Sequence, residues 1–263
     1  MRALIVNDDG IDSPGLAVLA RVAVAAGLEV QVAAPHVERS GASASLSALE
    51  DDGKLMLSRR TMPDLPGVEV LAVEASPAMI AFVAAHGAFG PAPDLVLSGI
   101  NLGPNTGHAI LHSGTVGAVL TAAAHGARGV ALSLDQPSPS DWETAEAVAS
   151  HAVRWAVEHA APGRVLNVNI PDVPIDGLLG LRAAPLAEFG AVQAEIGDVE
   201  ENGDESRAVT VTFRKVEIDS SGDSDAVLLH DGWATATVLR MPFEVAEADL
   251  GDLTFSRSGN AVS

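Results

Sequence analysis

Short apolar runs alternate along the first 170 residues with longer segments in which apolar residues recur at helical spacing. The apolar runs are Ala3–Val6, Val30–Ala33, Val68–Val73, Leu95–Ser98, Val130–Leu134 and Val165–Ile170. The helical segments lie between the first two runs, where Gly27 ends the pattern, and near residues 77–87, 114–125 and 141–160. Ser140 and Glu143 form a predicted capping box for the last of these helices. Strands that alternate with helices predict an α/β fold with a mostly parallel sheet covered on both faces.

The pattern changes after Pro171, where polar and apolar residues alternate instead. The strands predicted in this part are Val192–Ile196, Ala208–Val216 and Trp233–Leu239. The first two are predicted to form a hairpin with an acidic, glycine-containing tip at Gly197–Arg207. A polar tail from about Ser256 is expected to be loosely ordered. We expect residues 1–175 to form the core, and residues 176–263 to form a hairpin and C-terminal element packed on it.

The composition narrows the class of protein. With 263 residues, of which 48% are hydrophobic, the chain is able to bury a sizeable core. The net charge is −20, from 35 acidic and 15 basic residues, and such a field repels DNA, RNA and anionic membranes. Because the chain has no cysteine, a metal would be bound by oxygen or imidazole ligands. No apolar run reaches the roughly 20 residues that cross a bilayer, so we expect a cytoplasmic protein without a membrane or nucleic-acid duplex as partner.

Polar side chains follow three of the predicted strands. Asp8 and Asp9 follow the first strand, Ser40 lies in the loop after the second, and Asn101 follows the run at 95–98. In parallel α/β sheets, ligands bind at these carboxyl ends. Two adjacent carboxylates repel each other unless a cation lies between them, and hydroxyl and amide oxygens suit Mg²⁺ or Mn²⁺. The alternative is that Asp8, Asp9 and Gly10 form only a turn, in which an aspartate caps the next helix.

A second candidate feature is an anion site at the start of an alanine-rich helix. Ser113, Gly114 and Thr115 open this helix, and small residues there leave backbone N–H groups accessible to an anion, assisted by the Thr115 hydroxyl. Asn105, in the glycine-rich loop just before, is a further candidate donor. Alternatively, Ser113 only caps the helix and the glycines only permit unusual backbone angles.

The same loops contain three histidines, and two other classes of protein share part of this pattern. His36, His108 and His112 lie in the same loops and are able to donate or relay protons, although each is also an ordinary loop residue. A receiver-like signalling module also binds Mg²⁺ at paired acids, but its phosphoacceptor position is Ser98 here and no lysine follows the run at 130–134. A nicotinamide-binding protein is disfavoured because the first loop lacks the glycine fingerprint.

Taken together, these loops resemble the SurE family of metal-dependent nucleoside-monophosphate phosphatases over residues 1–255. The segments that carry the resemblance are Asn7–Gly10, Ala34–Pro35, Arg39–Ser43, Ser98–Asn101, Gly103–Asn105, Ser113–Gly117, Asn167–Pro171 and, more weakly, Gly232–Leu239. The resemblance implies a Rossmann-like three-layer core, with a hairpin and C-terminal element used for dimer or tetramer assembly.

The resemblance also implies an activity and a site. The activity is that of a 5′/3′-nucleotidase, which hydrolyses a nucleoside monophosphate to nucleoside and phosphate. One divalent metal ion per subunit, Mg²⁺ or Mn²⁺, is expected to be held by Asp8, Asp9, Ser40 and Asn101. Asn105, Ser113, Gly114 and Thr115 are expected around the phosphate. Asp8 or Asp9 is expected to orient the attacking water or to act covalently, and the residues alone do not decide between the two.

Two loops depart from the family pattern. Residues 75–79 lack the usual carboxylate, and residues 108–112 carry two histidines in place of acidic and phenolic groups. These departures leave open a catalytically impaired or re-specialised phosphatase that acts on another phosphomonoester, or an inactive scaffold. The hairpin is also open to a second interpretation, that of a mobile flap over the crevice.

Overall fold

The computed structural model describes residues 1–48, 50–136, 138–139, 142–188, 192–201, 207–215 and 222–240. The strands in these residues are β1 (Arg2–Val6), β2 (Glu29–Pro35), β3 (Glu50–Asp51), β4 (Lys54–Leu55), β5 (Leu57–Arg60), β6 (Glu69–Val73), β7 (Leu95–Leu102), β8 (Arg128–Leu134), β9 (Arg164–Ile170), β10 (Leu181–Ala183), β11 (Val192–Glu201), β12 (Arg207–Lys215) and β13 (Ala234–Arg240). The α-helices are α1 (Pro14–Ala25), α2 (Pro77–Ala85), α3 (Gly114–Ala124), α4 (Glu143–His159) and α5 (Asp225–His230), and short 3₁₀ helices span Gly107–His112 and Ile175–Gly177. None of the described helices is both long and apolar enough to span a membrane.

Nine of the described strands form one sheet, in the order β10-β13-β9-β8-β7-β1-β2-β6-β5. From β9 to β6 all neighbours are parallel, whereas β5 is antiparallel to β6 and β13 is antiparallel to β9. The strands β11 and β12 form a separate antiparallel pair. The predicted α/β fold with a mostly parallel sheet and a hairpin is therefore confirmed.

The core lies on both faces of the sheet because neighbouring residues of a strand point to opposite sides. In β1, Ala3 and Ile5 pack with apolar residues of α1 and α4, whereas Leu4 and Val6 pack with α2 and α3. A strand that is buried on both faces has no polar alternation, which explains its uninterrupted apolar sequence. The result is a three-layer arrangement with the sheet in the middle.

The order of the strands reverses beside β1. From β1 the chain proceeds through β2 and β6 toward one edge, and then returns to β7 on the other side of β1 and continues through β8 and β9. At such a switch point the loops after the two central strands diverge and leave a crevice at the carboxyl ends. The segments that follow β1 and that end β7 contain Asp8, Asp9 and Asn101.

Several predicted boundaries differ from the structure. The helix predicted near residues 141–160 begins at Glu143 with Trp142 at its N-cap, so it does not begin at the predicted capping box, whose Ser140 lies outside the described residues. The edge strand Leu57–Arg60 was not predicted; all four of its residues are exposed, and edge strands need no apolar face. The predicted tail from Ser256, and residues 202–206 of the predicted hairpin tip, also lie outside the described residues.

Helix α1 passes very close to the end of β7. A Cβ atom added to Gly15, in the first turn of α1, would lie 2.1 Å from the carbonyl oxygen of Ile100. Only glycine allows this approach, because both partners are backbone. The contact fixes the distance between α1 and the strand that carries Asn101.

We expect Gly15→Ala to lower the free energy of unfolding by about 1–3 kcal/mol, since the added methyl overpacks the contact. Alanine is the better helix former by up to about 1 kcal/mol, so propensity alone predicts the opposite sign. Urea denaturation measures the difference, with Val24→Ala at an exposed position of the same helix as control. A Gly15→Ala variant at least as stable as the parent would mean that the Ile100 carbonyl shifts at no cost.

Candidate functional site

The turn after β1 is held by the side chain of Asn7. This side chain is fully buried, its amide nitrogen donates to the carbonyl of Gly10 at 3.0 Å, and its oxygen accepts from the Gly10 N–H at 3.2 Å. Gly10 has a φ of 101°, a conformation that favours glycine. Asn7 therefore closes the turn, and the two carboxylates that follow it are held at the end of the central strand.

Asp8 is directed at the N-terminus of α3. Its carboxylate accepts the Thr115 hydroxyl proton at 2.5 Å, and backbone N–H groups of Gly114 and Thr115 also donate to it. A Cβ atom on Gly114 would lie 2.7 Å from Asp8 Oδ2, so only glycine leaves room for the carboxylate. Burial raises the pKa of Asp8, and the hydrogen bond from Thr115 opposes this shift.

Asp9 has a different environment. Burial raises the pKa of Asp9 to about 7, and the negative charges of Asp8 and Glu38 add to the effect, while the N–H of Leu102 donates to Asp9 and opposes it. The buried oxygen Oδ2 of Asp9 has no hydrogen-bond partner among the described residues. A carboxylate with a buried, unpartnered oxygen beside a second carboxylate is electrostatically unfavourable, and a bound proton or cation reduces this cost.

The other two predicted metal ligands lie on segments that contact the aspartates. The backbone N–H of Arg39 donates to the carbonyl of Asp8 at 2.7 Å, and Ser40 follows it. Asn101 directly precedes Leu102, whose N–H binds Asp9, and its own amide nitrogen donates to the Gly103 carbonyl at 2.6 Å.

In the structure, the Ser40 hydroxyl donates to Glu38 at 2.8 Å, and Ser40 and Asp9 line the same cleft. The segments bearing all four predicted ligands therefore meet at one place.

These residues suit a hard divalent cation. The candidate set offers two carboxylates, a hydroxyl oxygen and an amide oxygen, and no nitrogen or sulfur ligand. No group of three or more histidines, aspartates or glutamates suited to a metal occurs in the described part of the chain. An ion at Asp8 and Asp9 would thus depend on neutral oxygens and water for its remaining ligands. The unpartnered oxygen of Asp9 is the structural feature that fits such an ion.

The predicted anion site is engaged within the protein. Ser113 caps α3 and its hydroxyl oxygen accepts from the N–H of Val116 at 3.1 Å, as expected for an N-cap. The N–H groups of Gly114 and Thr115, which the sequence predicted to be free for an anion, donate to Asp8 instead. A carboxylate is the negative charge that a helix N-terminus attracts, so Asp8 occupies the position of the anion in this structure.

Asn105 is placed by a network that sequence reasoning missed. Its backbone N–H donates to Asn169 Oδ1 at 2.7 Å, and its carbonyl accepts from the amides of Asn167 and Asn169 at 2.9 and 3.1 Å. Its side-chain amide donates to the Ser133 hydroxyl at 2.7 Å. The sequence did contain a signal for this network, because two asparagines at alternate positions of the apolar strand β9 lie on one face of the sheet.

Asp225 is a second residue that sequence reasoning missed. It is fully buried at the start of α5 and accepts from the N–H groups of Gly107, Ala187 and Ala226, each at 2.9 Å. Burial raises the pKa of Asp225, which these hydrogen bonds oppose. Asp225 therefore ties the end of the Asn105 loop to the C-terminal part of the chain. Its only sequence signal was its position after Ser224 at a helix start.

The three loop histidines are all exposed. His36 lines the cleft beside Asp9. His108 lines a separate, largely apolar pocket with Leu111 and Val238.

Comparisons with known proteins identify the family of the chain. The model of the family described as Survival protein SurE matches residues 3–191. A 5′/3′-nucleotidase SurE of Cronobacter sakazakii is 34% identical over 242 residues, which cover 92% of this chain and 90% of that protein. A protein of the same name from Erwinia tasmaniensis is 32% identical over the same shares. The crystal structure of the SurE protein from Aquifex aeolicus is similar in fold, with a TM-score of 0.76, 24% identity, and coverage of 93% of this chain and 95% of that one.

The pKa of Asp9 predicts how the stability of the metal-free protein depends on pH. The pKa is raised from 3.8 to about 7 on folding, so between these values the folded chain keeps a proton that the unfolded chain releases. Stability is therefore expected to fall as the pH rises from about 4 to about 7. Asp9→Asn should reduce this dependence and, at pH 8 in chelator, raise the free energy of unfolding by about 2–4 kcal/mol.

Denaturation at pH 4 and pH 8 in the presence of chelator measures the effect. Asp64→Asn, which removes an exposed carboxylate, serves as control and should keep the parental pH dependence. If Asp9→Asn and the parent lose stability equally between pH 4 and pH 8, Asp9 does not carry the effect.

Proposed function

The chain belongs to the SurE family, and on that basis we propose that it is a phosphomonoesterase that hydrolyses nucleoside monophosphates to nucleoside and inorganic phosphate. Its relatives bear the name 5′/3′-nucleotidase. The observation that carries the proposal is the adjacent pair of the buried Asp8, which contacts the N-terminus of α3, and the half-buried Asp9, which lines an open cleft. Because two carboxylates repel a substrate with concentrated negative charge, the pair is able to bind one only when a cation lies between them.

We propose that Asp8, Asp9, Ser40 and Asn101 hold one Mg²⁺ or Mn²⁺ ion per subunit. The support is the unpartnered oxygen of Asp9, its raised pKa, and the oxygen-only donor set. When bound, such an ion polarises a phosphate oxygen and lowers the pKa of a bound water.

The residues around α3 receive the phosphate in this proposal. With Asp8 turned toward the ligand set, the N–H groups of Gly114 and Thr115 and the Thr115 hydroxyl are released to donate to phosphate oxygens. The helix N-terminus then stabilises the charge that develops on the phosphoryl group. Ser113 keeps the helix start in place. In this proposal the Asn105 amide leaves Ser133 and also donates to the phosphate.

Asp8 or Asp9 has one of two roles in the displacement. In the first, the carboxylate orients a water molecule, whose oxygen bonds to phosphorus as the ester bond breaks and whose proton passes to the leaving alkoxide. In the second, a carboxylate oxygen itself bonds to phosphorus as the ester bond breaks, and the leaving alkoxide takes a proton from water. Water then hydrolyses the acyl phosphate to phosphate and the free carboxylate.

A re-specialised phosphatase is the second candidate function, and the loop at residues 75–79 favours it. Ser76 accepts from the N–H groups of Met79 and Ser47, each at 3.3 Å, and donates to the carbonyl of Ser45. The altered loop therefore contacts the segment that continues from Ser40. A change there is able to alter the shape of the cleft without touching Asp8 or Asp9.

Asp9→Asn and Asn101→Ala are each expected to lower kcat for nucleoside monophosphates by at least about 100-fold, because each removes a proposed ligand. Phosphate release is measured from a panel of nucleoside monophosphates and other monoesters, with Mg²⁺, with Mn²⁺ and with chelator. Asp64→Asn is the matched control, and circular dichroism verifies folding of each variant.

Near-normal hydrolysis by either variant with metal would remove its proposed ligand role. Activity of the parent on other monoesters but not on nucleotides would favour the second candidate, and no metal-dependent hydrolysis of any monoester would favour the inactive scaffold.

We also propose that residues 176–263 mediate assembly into a homodimer or homotetramer. The support is that β11 and β12 form a sheet of their own, outside the nine-stranded sheet of the described chain. Light scattering of the full chain should then give a mass two or four times 26.8 kDa. A variant without residues 197–207 should dissociate; if its mass is unchanged while hydrolysis is altered, the hairpin is a flap instead.

A further inference from the structure

An open cleft is lined by Asp9 and by no residue of α3. The cleft measures about 490 Å³ and is bounded by residues after β1, residues after β2, and Leu102. Its volume lies within the range of about 300–1,000 Å³ that is usual for small-molecule sites. Asp8 contacts α3, whereas Asp9 and Ser40 line the cleft, so the proposed phosphate position and this space lie on either side of the same aspartate pair. With the phosphate at α3 as proposed above, the leaving group of a monoester would extend into this cleft.

Arg60 holds His36 in this cleft. The guanidinium Nη2 of Arg60, at the end of β5, lies 3.3 Å from Nδ1 of His36. The backbone N–H of His36 donates to the carbonyl of Val73 at 2.9 Å, so the end of β6 fixes the main chain of the same residue. The exposed edge strand thereby supports one side of the cleft.

This contact determines which ring nitrogen carries the proton. An arginine only donates hydrogen bonds, so Nδ1 of His36 has to accept. The neutral ring then carries its proton on Nε2, which becomes a donor. The acidic side chains that line the same cleft, Asp9, Asp12 and Glu38, are acceptors when ionised. The ionised side chains of the cleft therefore favour hydrogen-bond donors on a ligand, whereas His36 favours an acceptor.

We propose that this cleft binds the nucleoside part of the substrate and that His36, oriented by Arg60, is a specificity-determining residue that donates a hydrogen bond to a ribose oxygen or a base ring nitrogen. The inference rests on the proposed phosphomonoesterase function and extends it to the leaving group. Acceptors of this kind are present in every nucleoside and absent from a simple aryl phosphate. His36 is therefore expected to distinguish nucleotides from smaller monoesters.

The test compares AMP with p-nitrophenyl phosphate as substrates of the full chain with Mn²⁺. His36→Ala should raise KM for AMP about 3- to 10-fold, the effect of one hydrogen bond, and leave kcat within about twofold. For p-nitrophenyl phosphate, both constants should stay within about twofold. His36→Gln, which keeps an N–H donor, should restore much of the AMP affinity. Arg60→Ala should have a smaller effect on AMP and no further effect when combined with His36→Ala.

Adenosine has no phosphate to lose, so its inhibition of the enzyme reports on nucleoside binding alone. The adenosine concentration that halves the rate of p-nitrophenyl phosphate hydrolysis should be about 3- to 10-fold higher for His36→Ala than for the parent. His86→Ala, at the opposite end of α2 from Ser76, is the matched histidine control and should behave as the parent.

The outcomes separate this inference from the function on which it rests. Equal losses on AMP and p-nitrophenyl phosphate in a folded His36→Ala protein would place His36 at the shared phosphate and overturn the nucleoside site, with the phosphatase function intact. Unchanged AMP kinetics and adenosine inhibition in His36→Ala would overturn it as well. If the parent hydrolyses no monoester with metal, the proposed function fails first.

Discussion

The contact between Asp8 and the N-terminus of α3 is the interaction on which the rest of the site depends. It joins the central strand to the helix through one hydroxyl and two backbone N–H groups, and it requires that Gly114 has no side chain. A carboxylate at a helix N-terminus is favourable, so Asp8 is stabilised where it lies. Asp9, its neighbour, has one buried oxygen that finds no hydrogen-bond partner in the described part of the chain. This asymmetry makes Asp9 the member of the pair that a proton, or the proposed cation, would bind.

The sequence was most informative where burial determines the pattern. Strands such as β1 are buried on both faces, and their apolar runs predicted them directly; because parallel strands end at one edge, the polar residues after them were predicted to meet. The pattern failed for Leu57–Arg60, whose residues are exposed and which is held by backbone pairing to β6. Backbone pairing leaves no periodic signal when neither face of a strand is buried. That unpredicted strand contributes Arg60, and with it the position of His36.

Residue types in the site were predictable, but their hydrogen-bond partners were not. Thr115 was expected to face an anion, and in the structure its hydroxyl donates to Asp8, 107 positions away. Asn105 was expected to donate to a ligand, and its amide donates to Ser133. Asp225 binds Gly107 across 118 positions, which no local pattern encodes. Each case follows from the rule that buried polar groups find partners, but only the fold determines which partner is near.

Electrostatics explains why the polar side chains of the site bond to one another here, and why a bound cation and phosphate would replace these partners. A chain of net charge −20 with two carboxylates at its crevice repels a phosphate dianion unless the local charge is reversed. A proton on Asp9 removes one negative charge but adds no attraction for phosphate, whereas a divalent cation does both. In the proposed site, a proton and a cation would compete for the carboxylate of Asp9, whose pKa burial raises to about 7. A cation that binds Asp9 near neutral pH would therefore displace a proton, so the environment that makes Asp9 costly to ionise would couple the proposed metal binding to pH.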